Sequence, residues 1–303
     1  MRHGNIAPVV EAQYQLPDTK VEIRGPVALI YMDRPAQLNA WTAAMNASLQ
    51  EIFAKLDNDD RIKVLVITGS GNKAYCAGAD LRQGDFSSKN EPSRYSGSNI
   101  TDHRDGGGQF VLQAAKMRKP VIAAINGVAV GVGITSTLPM DIRITHKGAK
   151  IGFVFVRRGI VAEATSTYWL PRLVGYSRAA ALMLTGKVYT ADSPLLSALF
   201  YEVLDNQEDV VPRALELAQE MASLNSSVSM AITKGLLWHG ANSPEEQHLL
   251  DSKGMFSLGN SIDGKEGVAS FMQKRPVNFQ GTVTKDMPSF YPWWAHYDVK
   301  PKL

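Results

Sequence analysis

Polar and apolar residues alternate through VEIRGPVALIYMD from residue 21, which predicts one or two β-strands broken at Gly25-Pro26. The period then lengthens to that of a helix. Behind Thr42, a natural N-cap, Ala43, Met45, Leu49, Ile52, Phe53 and Leu56 recur at helical spacing. Val64 to Thr68 is a continuous apolar run between charges and glycines, as expected of a strand covered on both faces. A helix over 109–118 follows, then a strand from Pro120 (VIAAIN). The stretch GVAVGVGITSTLPMDIRI holds a short helix and a strand from Asp141 to Thr145. Repeats of strand, helix and strand indicate parallel crossover units. From Glu163 the pattern turns helical, with apolar faces near 164–184, 208–224, 227–239, 243–258 and 262–273. The fold class expected is α/β, a strand-rich core finished by a C-terminal helical subdomain.

These patterns divide the chain into a flexible leader over 1–19, a core over 20–205, helices over 206–279 and a tail over 280–303. The tail carries Phe290, Tyr291, Trp293 and Trp294, which need a groove or a neighbouring subunit to cover them. Residues 82–108 are polar and rich in Gly and Ser, consistent with either a lid or a plain surface loop.

Composition narrows the classes. With 303 residues, 45% hydrophobic and 20% charged, the chain can bury a core without staples. A formal charge of +3, evenly spread, gives no sign of a nucleic-acid surface. One cysteine excludes an internal disulfide and fits a reducing compartment. No apolar run is long enough for a membrane span, so a cytoplasmic location is expected unless the ending Pro301-Lys302-Leu303 acts as a peroxisomal address, whose type sequence is Ser-Lys-Leu.

Two segments suggest chemistry. AYCAGADL, residues 74–81, spends small residues at a strand end, and AVGVGIT does so about 55 residues later. Bare backbone lets amide N–H groups approach and point at a ligand, and two such turns can form an oxyanion hole. Taken singly, each turn reads first as tight packing.

Together with MDRPAQLNAWT, VLVITGSGNKAYCAGADL, KPVIAAINGVAVGVG, LPMDIRI and EGVASFMQKRPVNF, in this order and spacing, these segments resemble the crotonase superfamily of enoyl-CoA hydratases and isomerases. The resemblance runs from about Val21 to Phe279. It implies a crotonase-like spiral of ββα units, self-association as trimers or pairs of trimers through the 206–279 helices, an acyl-CoA substrate, and no cofactor beyond the CoA that the substrate brings. It further implies that the amides of Ala79 and Val132 hold a thioester oxygen. Leu38, Ala77, Asp80 and Leu81 fall where the family lines its CoA path, and Gly131 opens the second turn.

The departures point to the reaction. Hydratases of the superfamily carry two glutamates that hold a water; the matching positions here are Thr135 and Phe155. Glu163, ahead of a Ser/Thr-rich helix start, resembles instead the single glutamate of the peroxisomal Δ3,Δ2-enoyl-CoA isomerase branch. Beside Phe153, Phe155 and Trp169 such a carboxylate would have its pKa raised. The competing structural reading is an acid favoured at a helix start. Isomerisation with Glu163 as acid and base is the first expectation. Hydration or dehydration using Glu163, hydrolysis of a C–C or thioester bond, and non-catalytic acyl-CoA or RNA binding are the alternatives. Asp141 reads as scaffold, Arg157 and Arg158 as a solvated strand edge, Ser166 as a capping residue, and His103 as a loop residue.

Overall fold

The computed structural model describes residues 7–83 and 100–299, and its Val- and Ile-rich segments form two sheets. The larger has six strands in the order β1 (Thr19–Arg24), β2 (Val27–Met32), β3 (Val64–Gly69), β5 (Val121–Ile125), β7 (Ile142–His146) and β10 (Glu202–Leu204). The smaller contains β4 (Ala74–Cys76), β6 (Val128–Val130), β8 (Lys150–Gly152) and β9 (Val188–Thr190). In the larger sheet only β1 and β2 pair antiparallel. In the smaller one β4, β6 and β8 are parallel and β9 is antiparallel.

Nine helices accompany the sheets among the described residues: α1 (Ala43–Asp57), α2 (Gly106–Ala115), α3 (Val132–Thr135), α4 (Ser166–Val174), α5 (Tyr176–Thr185), α6 (Val210–Leu224), α7 (Ser227–Trp238), α8 (Pro244–Gly259) and α9 (Ile262–Met272). Two strands and a helix recur as β3-β4-α2, β5-β6-α3 and β7-β8-α4. In every unit the first strand enters the large sheet and the second enters the small one. This is the expected α/β spiral of ββα units.

Strand alternation supplies both faces of the large sheet. Ala28, Ile30 and Met32 of β2 pack in one core with Met45, Leu49, Ile52 and Phe53 of α1, a helix capped by the Thr42 hydroxyl, which accepts from the Met45 amide at 2.9 Å. On the opposite face Val27, Leu29, Val64, Val66, Ile122, Ala124 and Ile144 meet Val210, Ala214, Ala218 and Ala222 of α6. Small residues every four positions let that helix lie close to the sheet. The first helix past residue 205, α6, thus packs directly on the large sheet, and β3 is covered on both faces.

The flexible leader is an expectation that changes, while the tail takes one of the two covers expected of it, a groove on its own chain. The leader is docked from residue 9: Val9 and Ile23 exchange backbone hydrogen bonds of 2.8 Å, and Tyr14, 2% exposed, donates its hydroxyl to Asp59 at 2.7 Å. Residues 1–6 lie outside the described residues. The aromatic tail covers its own chain. Trp293 donates its indole N–H to the His239 carbonyl at 2.8 Å, and Trp294 stacks on His239 with centroids 3.9 Å apart. Gly235 of α7 is bare to admit them, since a Cβ there would lie 2.8 Å from the Trp293 ring. Arg118 and Arg104 bind the tail through the Val283 and Val299 carbonyls, at 2.7 and 2.6 Å. Residues 84–99 of the lid-or-loop segment and the final Pro301-Lys302-Leu303 also lie outside the described residues. No helix among the described residues is long and apolar enough to cross a membrane.

Candidate active site

The parallel pairing of β4, β6 and β8 decides where the small-residue turns go. Strands in such a sheet lie about 4.8 Å apart and point the same way, so the turns leaving β4, β6 and β8 emerge side by side at their carboxyl ends. Those turns hold Ala79, Val132 and Phe155 respectively. Backbone meets backbone between the first two. A Cβ on Gly131 would lie 3.9 Å from the Gly78 Cα, and one on Gly133 would lie 2.1 Å from the Cys76 carbonyl oxygen. Gly78 (φ 100°) and Gly131 (φ 57°) take conformations that L side chains resist.

This geometry leaves two amides over. Trp41 bridges Ala79 in parallel, and the bonds run from the Trp41 amide to the Gly78 carbonyl (2.8 Å) and from the Asp80 amide to the Trp41 carbonyl (3.0 Å). The Ala79 N–H projects from the other edge, and Val132 is the first residue of α3, where an amide has no partner within the helix. Among the described residues neither amide donates to a protein acceptor.

The other residues expected along the path frame the same turns. Leu38 (φ 53°) accepts the Ala77 amide through its carbonyl at 3.1 Å and exposes its side chain. Leu81 is exposed at the start of a short 3-10 turn. Asp80 is a brace: its carboxylate, 4% exposed, is paired with Arg82 and Arg34 at 2.9 Å each, which hold its pKa well below the usual carboxylate range. Cys76 is buried beneath the turn, and desolvation pushes its thiol up to about 12.

Glu163 joins this group through Thr135. The Thr135 hydroxyl, one turn into α3, donates to Glu163 Oε1 at 2.6 Å. Thr135, at the position of one absent hydratase glutamate, and Glu163, the different acid that the sequence offers, are thus hydrogen-bonded neighbours. Phe155 is 6% exposed and Phe153 1%, so the third turn contributes an apolar wall. Glu163 is followed by Ala164 (φ 54°) and Thr165 (φ 48°). Two consecutive left-handed residues that are not glycine cost about 1–2 kcal/mol each, so surrounding bonds must hold them. Ser166 donates its hydroxyl (2.6 Å) and amide (3.0 Å) to the Glu163 carbonyl, and Trp169 donates its indole N–H to Thr165 Oγ1 at 2.9 Å.

The remaining wall was not legible as a site. Gly106, Gly107 and Gly108 form the first turn of α2, capped by Asp105, although the spacing predicts that helix to begin at 109. A Cβ on Gly107 would sit 1.8 Å from Glu163 Oε2. The signal was the run Asp-Gly-Gly-Gly itself, an N-cap followed by poor helix formers, which a loop composition concealed. Other readings hold their places: Asp141 accepts from Lys234 (2.8 Å), the Val121 amide (2.8 Å) and the Trp238 indole (3.3 Å), as scaffold, and Arg157 and Arg158 lie exposed.

Comparison with known proteins names this arrangement. Residues 22–282 match the family described as enoyl-CoA hydratase/isomerase. The chain belongs to that family. Enoyl-CoA hydratase AFT3-1 of Alternaria alternata is 45% identical over 257 residues, covering 85% of this chain and 84% of the relative. A 1,2-epoxyphenylacetyl-CoA isomerase of Escherichia coli (strain K12) is 32% identical, covering 84% and 95%. Among solved structures, an enoyl-CoA hydratase from Bacillus anthracis superposes with a TM-score of 0.76 at 27% identity, covering 87% of this chain and 99% of that one. Hydratases and isomerases of acyl-CoA esters thus both stand among the relatives of this family member.

Proposed function

We propose that this enoyl-CoA hydratase/isomerase shifts a double bond from C3 to C2 of an enoyl-CoA, with Glu163 as the single acid and base. The observation that carries this reading is the 2.6 Å hydrogen bond from Thr135 to Glu163: where a hydratase pair would have its first carboxylate, a hydroxyl instead holds Glu163, and Phe155 stands where the second would be. One base and an oxyanion hole suffice for the isomerisation. Glu163 removes a proton from C2, and the electron pair moves onto the thioester oxygen, held by the Ala79 and Val132 amides. The dienolate then collapses, taking the proton back at C4 and leaving a C2=C3 bond. The CoA path runs over Leu38, Ala77 and Leu81, with Asp80 bracing its floor and Phe155 walling the acyl side. The reaction needs no cofactor besides the CoA of its substrate.

A second reading, hydration of a 2-enoyl-CoA by a water held between Glu163 and Thr135, is favoured by the relatives named hydratases. Purified protein offered both substrates separates the two. Isomerisation of the 3-enoyl-CoA supports the first reading; hydration of the 2-enoyl-CoA without it supports the second. Glu163→Gln should lower kcat at least about a hundredfold with CoA binding intact, because general acid–base groups typically contribute that much. Undiminished turnover would remove Glu163 from the mechanism.

The same reading includes self-association. Met255 and Phe256 of α8 and Phe271 and Met272 of α9 are 73–81% exposed, an apolar face that a second copy of the chain, in a trimer or pair of trimers, would cover.

A further inference from the structure

The loop preceding α2 ends in a carboxylate that touches the backbone beside the candidate base. Asp105 Oδ1 accepts the Gly108 amide at 2.5 Å, as the N-cap of α2, and also accepts the Ala164 amide at 3.2 Å. One oxygen therefore ties the first turn of α2 to the residue directly after Glu163. Ala164 and Thr165 are both left-handed, a conformation that their own side chains oppose. The Ala164 side chain is fully buried against that same turn, 3.3 Å from where a Gly107 Cβ would stand.

The consequence falls on the side chain of Glu163. Its Oε1 accepts from Thr135 on α3, and its Oε2 lies over Gly107 on α2, so its position depends on α2 and α3 being held at a fixed separation. Thr135 supplies one hold. Asp105 attaches the Glu163–Thr165 turn to α2. We propose that Asp105 is a positioning residue for the reaction, acting through the Ala164 amide to keep the Glu163 carboxylate where it meets the substrate. This rests on the reading of Glu163 as acid and base. A carboxylate used in this way holds its partner's reach rather than its charge, so an amide oxygen at the same place should serve.

Three variants test it in the full chain, with kcat and KM measured on the enoyl-CoA that the wild type turns over, beside Glu163→Gln. Asp105→Asn retains an acceptor oxygen of the same reach and should stay within about threefold of wild-type kcat. Asp105→Ser retains a cap for α2 but is too short to serve the Ala164 amide as well. It should melt near the wild type and lose kcat by about tenfold or more, with KM within about twofold. Asp105→Ala should lose at least as much kcat. Wild-type kcat in a folded Asp105→Ser protein overturns the inference, and so does an Asp105→Asn protein as impaired as Asp105→Ser, since that would make the charge decisive. If Glu163→Gln is itself fully active, the reading of the base fails. An inactive Glu163→Gln protein beside an active Asp105→Ser protein removes only the role of Asp105.

Discussion

At the scale of single residues, Gly107 shows how an absent side chain shapes chemistry. An alanine there would place its Cβ 1.8 Å from Glu163 Oε2, at the far end of a flexible side chain, and 3.3 Å from the Ala164 Cβ. The carboxylate can swing away, so Gly107→Ala should leave the melting temperature within a few degrees of wild type while kcat falls by about ten- to a hundredfold, as expected when a reacting group is displaced by an ångström or more. Parallel loss of stability and activity would show that the glycine serves the fold instead. Cys76 offers a second check at this scale. Its thiol is buried and pushed up to about 12, so it should resist iodoacetamide at neutral pH in the native protein and react once the chain is unfolded. Ready labelling of the native protein would contradict the packing beneath the AYCAGADL turn. Glu163 and the amides of Ala79 and Val132 were legible as candidates from the resemblance, since they stand in or beside motifs that the resemblance matches. Asp105 and Gly107 were not: the roles they take depend on a contact across 56 or more residues of chain, and nothing local to DGGG announces it.

At the scale of elements, the segment before β1 behaves as part of the sheet, and its attachment is electrostatic as well as apolar. Asp59 accepts from Tyr14 and pairs with Arg61, which also grips Glu11. The Arg61 guanidinium, helped by Tyr14, holds the Asp59 carboxyl at about 2, against an ordinary 3.8. A depressed carboxyl pKa contributes stability that is complete above the ordinary value and is lost as pH falls through the folded one. Residues 9–16 should therefore detach between about pH 4 and pH 2, which pepsin cleavage mapped at both pH values would show. Asp59→Asn should bring that cleavage forward to pH 4. Equal protection of the wild-type segment at the two pH values would sink this account. The pattern of residues predicts only a loose leader here, because the partners of Val9 and Tyr14, Ile23 and Asp59, lie in other elements.

At the scale of the whole molecule, the apolar face of α8 and α9 carries the expectation of a multimer. Light scattering should return a multiple of three chain masses, and Phe271→Asp should reduce it by placing charge where an apolar contact is needed. A wild-type monomer at micromolar concentration would leave Met255, Phe256, Phe271 and Met272 without that partner. Which stretches become strands and helices was fixed locally: the Val- and Ile-rich runs, the Thr42 cap and the helical spacing of 227–239 and 262–273 all act within a few residues, where side-chain period and backbone preference are physically determined. Composition and charge likewise need no fold. The three-residue strands β4, β6 and β8 are too short for periodicity to register, yet their parallel pairing brings Ala79, Val132 and Phe155 to one edge. The placement of α6 in the core, the seat of Trp293 and Trp294 on α7, the Thr135–Glu163 bond and the Asp105 tie were likewise decided only by tertiary structure. Each of these is a contact between distant parts of the chain, and a sequence states residue types along one dimension while such contacts exist only once the sheets and helices have packed.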